Sequence, residues 1–560
     1  MIPTQANYRE SLQQTIDAEI KSLEESIRKL KLRRNALQPI SALPPEIFAA
    51  IFSYLCLPGI PSLGGKPSQS RARLRISHVC RQWRAIALNQ PQLWSHINFD
   101  AVSLAGATEI LARAKSVPLY LEKKVSGQDN RRHEFGLFLK EVQARLSHTR
   151  HLSIRTEVAE LDGTICQELL SLESAPTLEY LSLSLREDEN RIQEGIALRR
   201  IFIPDIQVIN TLFGGSTPRL SCLKLCNCAI RWNSPLLKGL KHLEIVAHRP
   251  MERPTLANWL DALDEIPQLK TLTLHWASPV APCFPFDVGR TVTLPSLTHL
   301  DISASLQDSA FAAAHLELPA LTSLSLTSVP VDRYIKGRGV QDFLTFALRH
   351  IHGAQDIRPL QSAYICYFGN DLQLFAWSDP DIGTLVQDPP AFLSATLPMR
   401  VNLSFQWRGT ENGCLEIFRT MMAALPLDGL VTLAAGYLDL GDGLSQSWLR
   451  LFPNWPLLRH VRLGNMRKFI TALLEDDEGC ENPLLPSLTE LALHGISLDD
   501  WTVSLLCNAL MKRAEQGVPL EALDLRTCHM DYKTPDAVRL LSEIVVNVLR
   551  PLSFQAPEDT

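Results

Sequence analysis

The sequence predicts an α/β repeat protein with a helix at its amino terminus, a small all-α module after it, and a repeat solenoid over the remainder. Three patterns support this prediction: an apolar heptad stripe before residue 40, two short apolar helices before residue 100, and a leucine pattern that recurs as far as residue 525. The predicted boundaries are 1–39, 40–99 and 100–550, with a flexible tail at 551–560.

The composition is that of an ordinary globular protein. Of 560 residues, 46% are hydrophobic and 21% are charged, and the formal net charge is -5. This balance gives no electrostatic reason to bind nucleic acid or an anionic membrane. No apolar run reaches the ~18 residues that a membrane helix needs, and the amino terminus has no basic region followed by an apolar core. We therefore expect a cytoplasmic or nuclear protein, in which the 12 scattered cysteines are reduced.

The amino-terminal segment predicts an amphipathic helix or a short coiled coil. Its apolar residues follow alternating spacings of four and three, and Arg34 interrupts the series. The series consists of Ile16, Ile20, Leu23, Ile27, Leu30 and Leu37. Because three heptads make a marginal coiled coil, the helix could pair with a second copy in a homodimer or fold back onto the module that follows it.

The next module starts with a helix that is apolar over an unusually wide arc. Pro44 and Pro45 suit a helix start, because a missing N–H donor costs nothing there. Over residues 47–55 the apolar side chains span an arc of ~200°, where an ordinary amphipathic helix needs ~100°. A Gly/Pro/Ser/Arg-rich loop is predicted over residues 58–75, and Ser77 is a plausible N-cap for the second helix. Two helices this short cannot bury all of their apolar surface against each other, so a further surface is expected to cover it.

The ordered motifs of this module resemble an F-box, and specifically the F-box-like domain common in large fungal families. The matching residues are Leu43-Pro44-Pro45-Glu46-Ile47, Ile51-Phe52, Leu55, Val79-Cys80-Arg81-Gln82-Trp83-Arg84-Ala85-Ile86-Ala87 and Pro91-Gln92-Leu93-Trp94. The resemblance covers a small part of the chain, and the connection over residues 58–75 is longer than the short acidic one of many F-boxes.

This resemblance implies a helical module that docks onto the Skp-type adaptor of a cullin–RING ubiquitin ligase. The adaptor-binding residues that follow from it are Leu43, Pro44, Pro45, Ile47, Phe48, Ile51, Phe52, Leu55, Val79, Cys80, Trp83 and Trp94. The alternative is a plain helical hairpin at the edge of a domain, in which the wide apolar arc would be core.

Beyond this module the pattern L-x-x-L-x-L recurs and predicts the strands of a repeat. Copies begin at Leu178, Leu220, Leu240, Leu269, Leu297, Leu321, Leu458, Leu488 and Leu520. Their spacing brackets the ~20–29-residue period of leucine-rich repeats. Because one repeat is too small to bury its own apolar face, stacked neighbours are expected to form a leucine-rich-repeat-like solenoid.

Two further segments complete the predicted solenoid. The alternation in Val401-Asn402-Leu403-Ser404-Phe405 predicts a strand where the leucine pattern has faded, so irregular repeats with insertions are favoured over a separate domain. Near the end, the apolar spacing over residues 538–549 predicts an amphipathic helix that caps the open core.

The residues that flank the inward-facing leucines predict a concave surface open to solvent, because side chains alternate across a strand. The candidate substrate-binding residues on it are His242, Glu244, Thr273, His275, His299, Asp301, His460, Arg462, His494, Asp524 and Arg526. Their mixture of imidazoles, hydroxyls and both charge signs suits a protein partner better than a phosphate backbone. A merely solvated sheet face is the alternative for each of them.

No pattern in the chain predicts a catalytic, cofactor or metal site. Nucleotide-binding loops, hydrolase elbows and paired zinc-protease histidines are missing from the sequence, so we expect a protein that is not an enzyme. The thiols of Cys222, Cys226 and Cys228 are clustered but have no second pair of ligands at zinc spacing.

These observations together predict the substrate-recognition subunit of an SCF-type cullin–RING ubiquitin ligase. The F-box would dock on the Skp adaptor, and the solenoid would hold an unknown protein substrate close to the ubiquitin-conjugating enzyme. The alternative is a non-ligase leucine-rich-repeat scaffold for protein–protein interaction. Recovery of the adaptor with the protein distinguishes the two.

Overall fold

The structure, a computed structural model, divides the chain into two compact units. They consist of residues 1–204 with 211–220, and of residues 205–210 with 221–560. The structure describes residues 5–55, 69–125, 131–156, 174–185, 208–228, 230–247, 252–282, 289–331, 340, 343–345, 349, 359–368, 371–379, 400–407, 411–436, 438, 440–441, 443–464, 467–474, 483–530 and 537–550.

Helices and strands alternate along most of the described chain. The helices are α1 (Gln5–Ala36), α2 (Pro45–Leu55), α3 (Gln69–Val79), α4 (Arg81–Leu88), α5 (Leu104–Ala114), α6 (Arg131–Arg145), α7 (Leu256–Asp264), α8 (Leu306–Ala314), α9 (Glu411–Ala424), α10 (Leu444–Leu451), α11 (Arg467–Leu474), α12 (Asp500–Glu515) and α13 (Ala537–Ile544).

The strands are β1 (His96–Asn98), β2 (Leu119–Val125), β3 (Thr149–Thr156), β4 (Tyr180–Leu185), β5 (Cys222–Cys226), β6 (His242–Val246), β7 (Thr271–His275), β8 (Val292–Thr293), β9 (His299–Ala304), β10 (Leu316–Glu317), β11 (Ser323–Val331), β12 (Ser362–Phe368), β13 (Asp371–Trp377), β14 (Val401–Trp407), β15 (Thr432–Gly436), β16 (His460–Leu463), β17 (Glu490–Leu498), β18 (Ala522–Met530) and β19 (Asn547–Leu549). No helix among the described residues has the length and apolar character needed to cross a bilayer.

The first unit combines helices with a parallel sheet. Its strands pair in the order β1, β2, β3, β4, and every pair is parallel. Beside the sheet, Phe99 meets Phe138 edge to face with the ring centroids 4.7 Å apart. The module predicted as all-α over residues 40–99 therefore contains both helices and a strand, because its last segment forms β1 and joins the sheet.

The predicted pair of helices in this module is a set of three. Helix α2 begins at Pro45 as predicted, but Ser77 lies inside α3, where its hydroxyl donates to the Leu74 carbonyl at 2.8 Å. Cys80 caps α4 instead, and its sulfur accepts a hydrogen bond from the Trp83 backbone N–H at 3.5 Å. Residues 69–75 of the predicted loop are helical, because α3 buries Arg73 and Ile76 on one side. Residues 56–68 of that loop lie outside the described part of the chain.

The second unit contains a mostly parallel sheet. Strands β5, β6, β7, β9, β11 and β14 pair in that order, and β12, β15, β16, β17, β18 and β19 continue in the same way. Strand β13 joins the two runs and is antiparallel to both β12 and β14. The predicted strand at residues 401–405 lies within β14, in the same sheet.

The leucines of the recurring pattern form the core beneath this sheet. Leu223, Leu243 and Leu272 stand in register on three neighbouring strands, and none is more than 1% exposed. Each pair of aligned leucines removes apolar surface from water on both strands, which stabilises the parallel register. The prediction that these leucines point inward is confirmed.

The carboxy-terminal segment differs from its prediction. Helix α13 ends at Ile544 rather than continuing to residue 549, and β19 follows it in parallel pairing with β18. Val545, between the two elements, is 2% exposed. The apolar residues of this segment are therefore distributed over a helix and a strand and not along one helix. The tail at 551–560 lies outside the described residues.

Candidate protein-interaction surfaces

Helix α2 carries two apolar stripes that face in different directions. Phe48 and Phe52 are fully buried, whereas Ile47 is 47% and Tyr54 62% exposed. Ile47 and Tyr54 are seven residues apart, so both lie on one face of the helix, and the half-buried Ile51 lies between them. The wide apolar arc predicted for this helix therefore serves the core on one side and forms an exposed stripe on the other.

The inner stripe of α2 packs into an aromatic cluster. The Phe48 and Trp83 rings meet edge to face with centroids 5.5 Å apart, and Phe52 lies 5.1 Å from the same indole. Aromatic pairs at these separations stabilise by ~0.5–1.5 kcal/mol beyond the area they bury. The cluster fixes α2 against α4 and thereby holds the outer stripe in place.

A second anchor lies where the module meets β1. The fully buried Trp94 donates its indole N–H to the Ala87 carbonyl at 2.8 Å, and the guanidinium of Arg113 lies 4.8 Å from the ring centroid. The buried guanidinium of Arg73 donates to the Leu93 carbonyl at 3.3 Å. These contacts join α3, α4 and α5 around one turn.

The predicted adaptor-binding residues separate into surface and core residues. Those with exposed or half-buried side chains are Leu43, Pro44, Pro45, Ile47, Ile51, Val79, Cys80 and Trp83, whereas Phe48, Phe52 and Trp94 are buried and the side chain of Leu55 lies outside the described residues. Phe48, Phe52 and Trp94 pack within the domain. Tyr54, which the sequence interpretation missed, extends the exposed stripe by one turn.

The polar face of the second unit carries the first group of predicted substrate-binding residues. His242 and His299 lie in one cross-strand row, and Glu244, Thr273 and Asp301 lie in the next. His275 follows one row further along β7. All six side chains are exposed or half-buried, as the alternation predicted.

Polar side chains in this first group contact one another across the strands. The His242 Nδ1 atom lies 2.9 Å from the Thr271 hydroxyl, and the Lys224 ammonium lies 2.6 Å from the Glu244 carboxylate. Because these contacts hold the side chains in fixed positions, the surface can offer an ordered set of donors and acceptors with little loss of entropy on binding.

The second group lies on β16, β17 and β18. His460 Nδ1 is 3.0 Å from a Glu490 carboxylate oxygen, and Arg526 pairs with Asp524 at 2.8 Å. His494 Nδ1 lies 2.9 Å from the hydroxyl of Thr527. The predicted residue Arg462 is half-buried on the same face.

The two groups do not form one continuous exposed surface. Six strand spacings separate β9 from β16, or about 29 Å along the sheet. On that same face, the rows between them hold Tyr364, Phe375, Trp377 and Ala434, which are each no more than 4% exposed. The structure thus divides the predicted binding face into two polar patches with a buried aromatic cluster between them.

A row of stacked rings lies on the polar face of the first unit, and most of it was missed by the sequence interpretation. His96, Tyr120, His151 and Tyr180 are directly in register on β1 to β4. The rings of His96 and Tyr120 stack at 4.1 Å, and those of His151 and Tyr180 at 4.0 Å. Each of these residues directly precedes a buried Leu or Ile, just as His242 directly precedes Leu243. This position next to a buried strand residue is the sequence signal that could have identified the row.

Four histidines on these faces have lowered pKa values. Burial lowers the pKa of His151 to about 4, and burial together with the nearby Arg73 charge lowers the pKa of His96 to about 4. Burial also lowers the pKa of His242 and of His494. These imidazoles therefore offer neutral hydrogen-bonding groups to a partner, and not a row of positive charges for phosphates.

The lowered pKa values predict that the first unit loses stability in mild acid. In the unfolded chain these two imidazoles bind protons near pH 6.5, whereas in the folded unit they do so only near pH 4. Their contribution to the free energy of unfolding is therefore fully present above pH 6.5 and is lost as the pH falls from 6.5 towards 4. We expect a loss of roughly 1–2 kcal/mol per histidine after solvent screening, measured by denaturant unfolding across this pH range.

His151→Phe provides the control for this acid effect. The phenyl ring keeps a stacking partner for Tyr180 but takes up no proton, so the pH dependence should shrink by the share that His151 contributes. Equal acid sensitivity in the variant and the wild type would assign the effect to other groups.

Two of the described cysteines are buried against backbone carbonyl groups. The buried thiols of Cys228 and Cys528 each lie 3.3 Å from a backbone carbonyl oxygen, of Cys226 and Leu493 respectively, and burial raises the pKa of Cys528 to about 11. Such thiols are poor nucleophiles and poor metal ligands. Across the described ranges, no three His, Cys, Asp or Glu side chains are grouped to hold a metal ion.

Comparison with known proteins supports the assignment of the helical module. Residues 40–100 match the family model described as F-box-like, and these residues include α2, α3, α4 and β1. The chain thus contains an F-box-like domain at this position. No curated protein matches the chain.

Proposed function

We propose that this protein is the substrate-recognition subunit of an SCF-type cullin–RING ubiquitin ligase. The F-box-like domain would dock on a Skp-type adaptor. The α/β region would act as a leucine-rich-repeat-like solenoid that binds a protein substrate, as expected for a fungal F-box-like protein. The observation that carries the proposal is the outer stripe of α2. An exposed isoleucine and tyrosine on a helix whose other side is fully packed are typical of a surface that a protein partner covers.

The ligase role follows from holding two proteins at once. A target bound on a polar patch and an adaptor bound on the outer stripe would belong to one assembly, which raises the effective concentration of target lysines near the conjugating enzyme. The two polar patches offer ordered imidazoles, hydroxyls and charges of both signs, and the stacked row offers His and Tyr rings, a mixture that suits a protein surface. No chemistry is required of this chain.

Substitution of Ile47 by aspartate tests the docking step. The side chain is 47% exposed, so the change should leave the fold intact while it places a charge at the amino-terminal end of the outer stripe. We expect full-length wild-type protein, co-expressed with a Skp-type adaptor, to recover the adaptor, and Ile47→Asp to lose most of that recovery.

Val280→Asp is the matched control, because Val280 is 58% exposed and lies outside the F-box-like domain. It should recover the adaptor as the wild type does. Failure of the wild type to recover the adaptor, or equal recovery by Ile47→Asp, would favour the non-ligase scaffold. Proximity labelling with proteasome inhibition, compared between wild type and Ile47→Asp, then identifies targets whose abundance depends on docking.

A further inference from the structure

Helix α1 carries a long apolar stripe that no described part of the protein covers. The stripe consists of Ile16 (49% exposed), Ile20 (49%), Leu23 (59%), Ile27 (51%) and Leu30 (64%). Five large apolar side chains aligned on one face of a helix are costly to leave in water. Folding back onto the neighbouring module is not the arrangement that the structure shows, so the stripe needs another partner.

The composition of the stripe favours pairing with one other helix. In heptad terms Ile20 and Ile27 occupy position a, and Leu23 and Leu30 occupy position d. This combination specifies two strands in parallel coiled coils, and in either orientation a stripe confined to positions a and d is the narrow seam that one partner helix covers. The charges beside the stripe then decide which helix and which orientation.

A parallel pair of α1 helices would be poorly matched. Arg34, at an a position in the last turn of α1, would face Arg34 of the partner subunit across the seam. In a parallel pair, position g of one helix lies beside position e of the next heptad in the other helix, so Glu19 would face Glu24 of the partner subunit. The two-fold symmetry would create this repulsive pair twice.

An antiparallel pair centred near residue 25 removes both conflicts. Ile20 then lies opposite Leu30 of the partner subunit, and Leu23 lies opposite Ile27 of the partner subunit, which gives four apolar layers. Arg34 lies opposite Ile16 of the partner subunit at each end, where its long side chain can reach solvent.

The flanking charges are complementary in this antiparallel arrangement. Positions e face each other and positions g face each other, so Asp17 meets Lys31 of the partner subunit and Glu19 meets Arg33 of the partner subunit. Symmetry repeats each pair, which gives four attractive contacts. The like pair at the centre is Glu24 with its own copy, and Arg28 lies 3.7 Å from Glu24 within each helix.

We propose that the protein forms a homodimer through an antiparallel coiled coil of two α1 helices. The contact is isologous, as expected for a two-fold dimer. Each dimer carries two F-box-like domains and two sets of polar patches, so a target with two binding segments would be held more tightly than by one copy. The inference stands apart from the proposed ligase role, because it uses no contact of the F-box-like domain.

Reversal of one charge pair tests the dimer and its orientation together. Asp17→Lys in the full-length protein should weaken the dimer about tenfold, measured by sedimentation equilibrium without adaptor, since two attractive contacts become repulsive. Lys31→Asp should do the same, and the double variant should restore the affinity. Residues 17 and 31 are ~21 Å apart within one helix, so the restoration has to come from contact between two helices.

Glu19→Lys distinguishes the two orientations by the sign of its effect. In the antiparallel pair it creates repulsion with Arg33 of the partner subunit and weakens the dimer, whereas in a parallel pair it relieves the contact with Glu24 and strengthens it. A protein that stays monomeric at every concentration, a double variant without restoration, or a tighter Glu19→Lys dimer would each overturn the proposal. Adaptor recovery by Ile47→Asp is unaffected by any of these results.

Discussion

Replacement of Asp308 by alanine is expected to lower the free energy of unfolding of the second unit by ~3–5 kcal/mol. The Asp308 and Arg253 side chains are only 9% and 15% exposed, and their charged atoms lie 2.7 Å apart. The other Asp308 oxygen accepts the Ala281 backbone N–H at 2.8 Å. Loss of the carboxylate leaves a guanidinium without its counter-charge and a backbone donor without its acceptor. Denaturant unfolding monitored by hydrogen exchange in α8 measures the loss.

Two comparisons identify the cause of this loss. Arg253→Met combined with Asp308→Ala should recover part of the stability, because no charge then remains buried. Asp261→Ala removes one of the two exposed carboxylates that pair with Arg290 and should produce no resolvable change. Similar losses for Asp308→Ala and Asp261→Ala would show that burial does not govern the cost.

The Arg253–Asp308 contact illustrates a limit of sequence interpretation. The aligned leucines were predictable because each strand carries its own copy of the pattern, and parallel pairing brings equivalent copies together. Arg253 also donates to the Ser278 carbonyl at 2.7 Å, so the cluster joins three loop or helix segments outside the pattern. No local spacing indicates that a particular arginine and aspartate 55 positions apart will meet.

The F-box-like domain was predictable in its surface chemistry and less so in its local structure. The excess apolar arc of α2 correctly indicated two faces, but spacing alone could not tell that Phe48 faces inward and Ile47 outward. Helix α3 was missed because its sequence is polar and basic, and burial of Arg73 and Ile76 against the rest of the domain stabilises it instead. Tertiary contacts override the N-cap preference of Ser77 for the same reason.

The polar faces show how far alternation can carry a prediction. Parity along each strand correctly placed His242 and Arg462 on the side away from the leucines. It could not show that Phe375 and Tyr364 would close the same face between them, because that follows from the antiparallel strand β13, for which the leucine pattern gives no signal. The division into two patches is therefore a property of the fold that only the strand order defines.

Replacement of Trp94 by alanine is expected to lower the free energy of unfolding of the first unit by ~3–5 kcal/mol. The indole is fully buried, so its removal leaves a cavity, and the Ala87 carbonyl loses the N–H donor that lies 2.8 Å away. Arg113 also loses the aromatic face 4.8 Å from its guanidinium carbon. Hydrogen exchange of α4 and α5 measures the loss directly, since both helices contact this side chain.

Trp501→Ala is the matched control, because Trp501 is 52% exposed and stacks with Arg467 at 4.7 Å on the surface. It should cost no more than ~1 kcal/mol. Trp94→Phe should fall between the two, since it fills most of the cavity but offers no N–H to Ala87. If Trp94→Ala removes adaptor recovery, it should do so together with loss of protection in α4, whereas Ile47→Asp should remove recovery with protection unchanged. Loss of recovery by Trp94→Ala with full protection would instead place the indole in the adaptor contact, contrary to its burial.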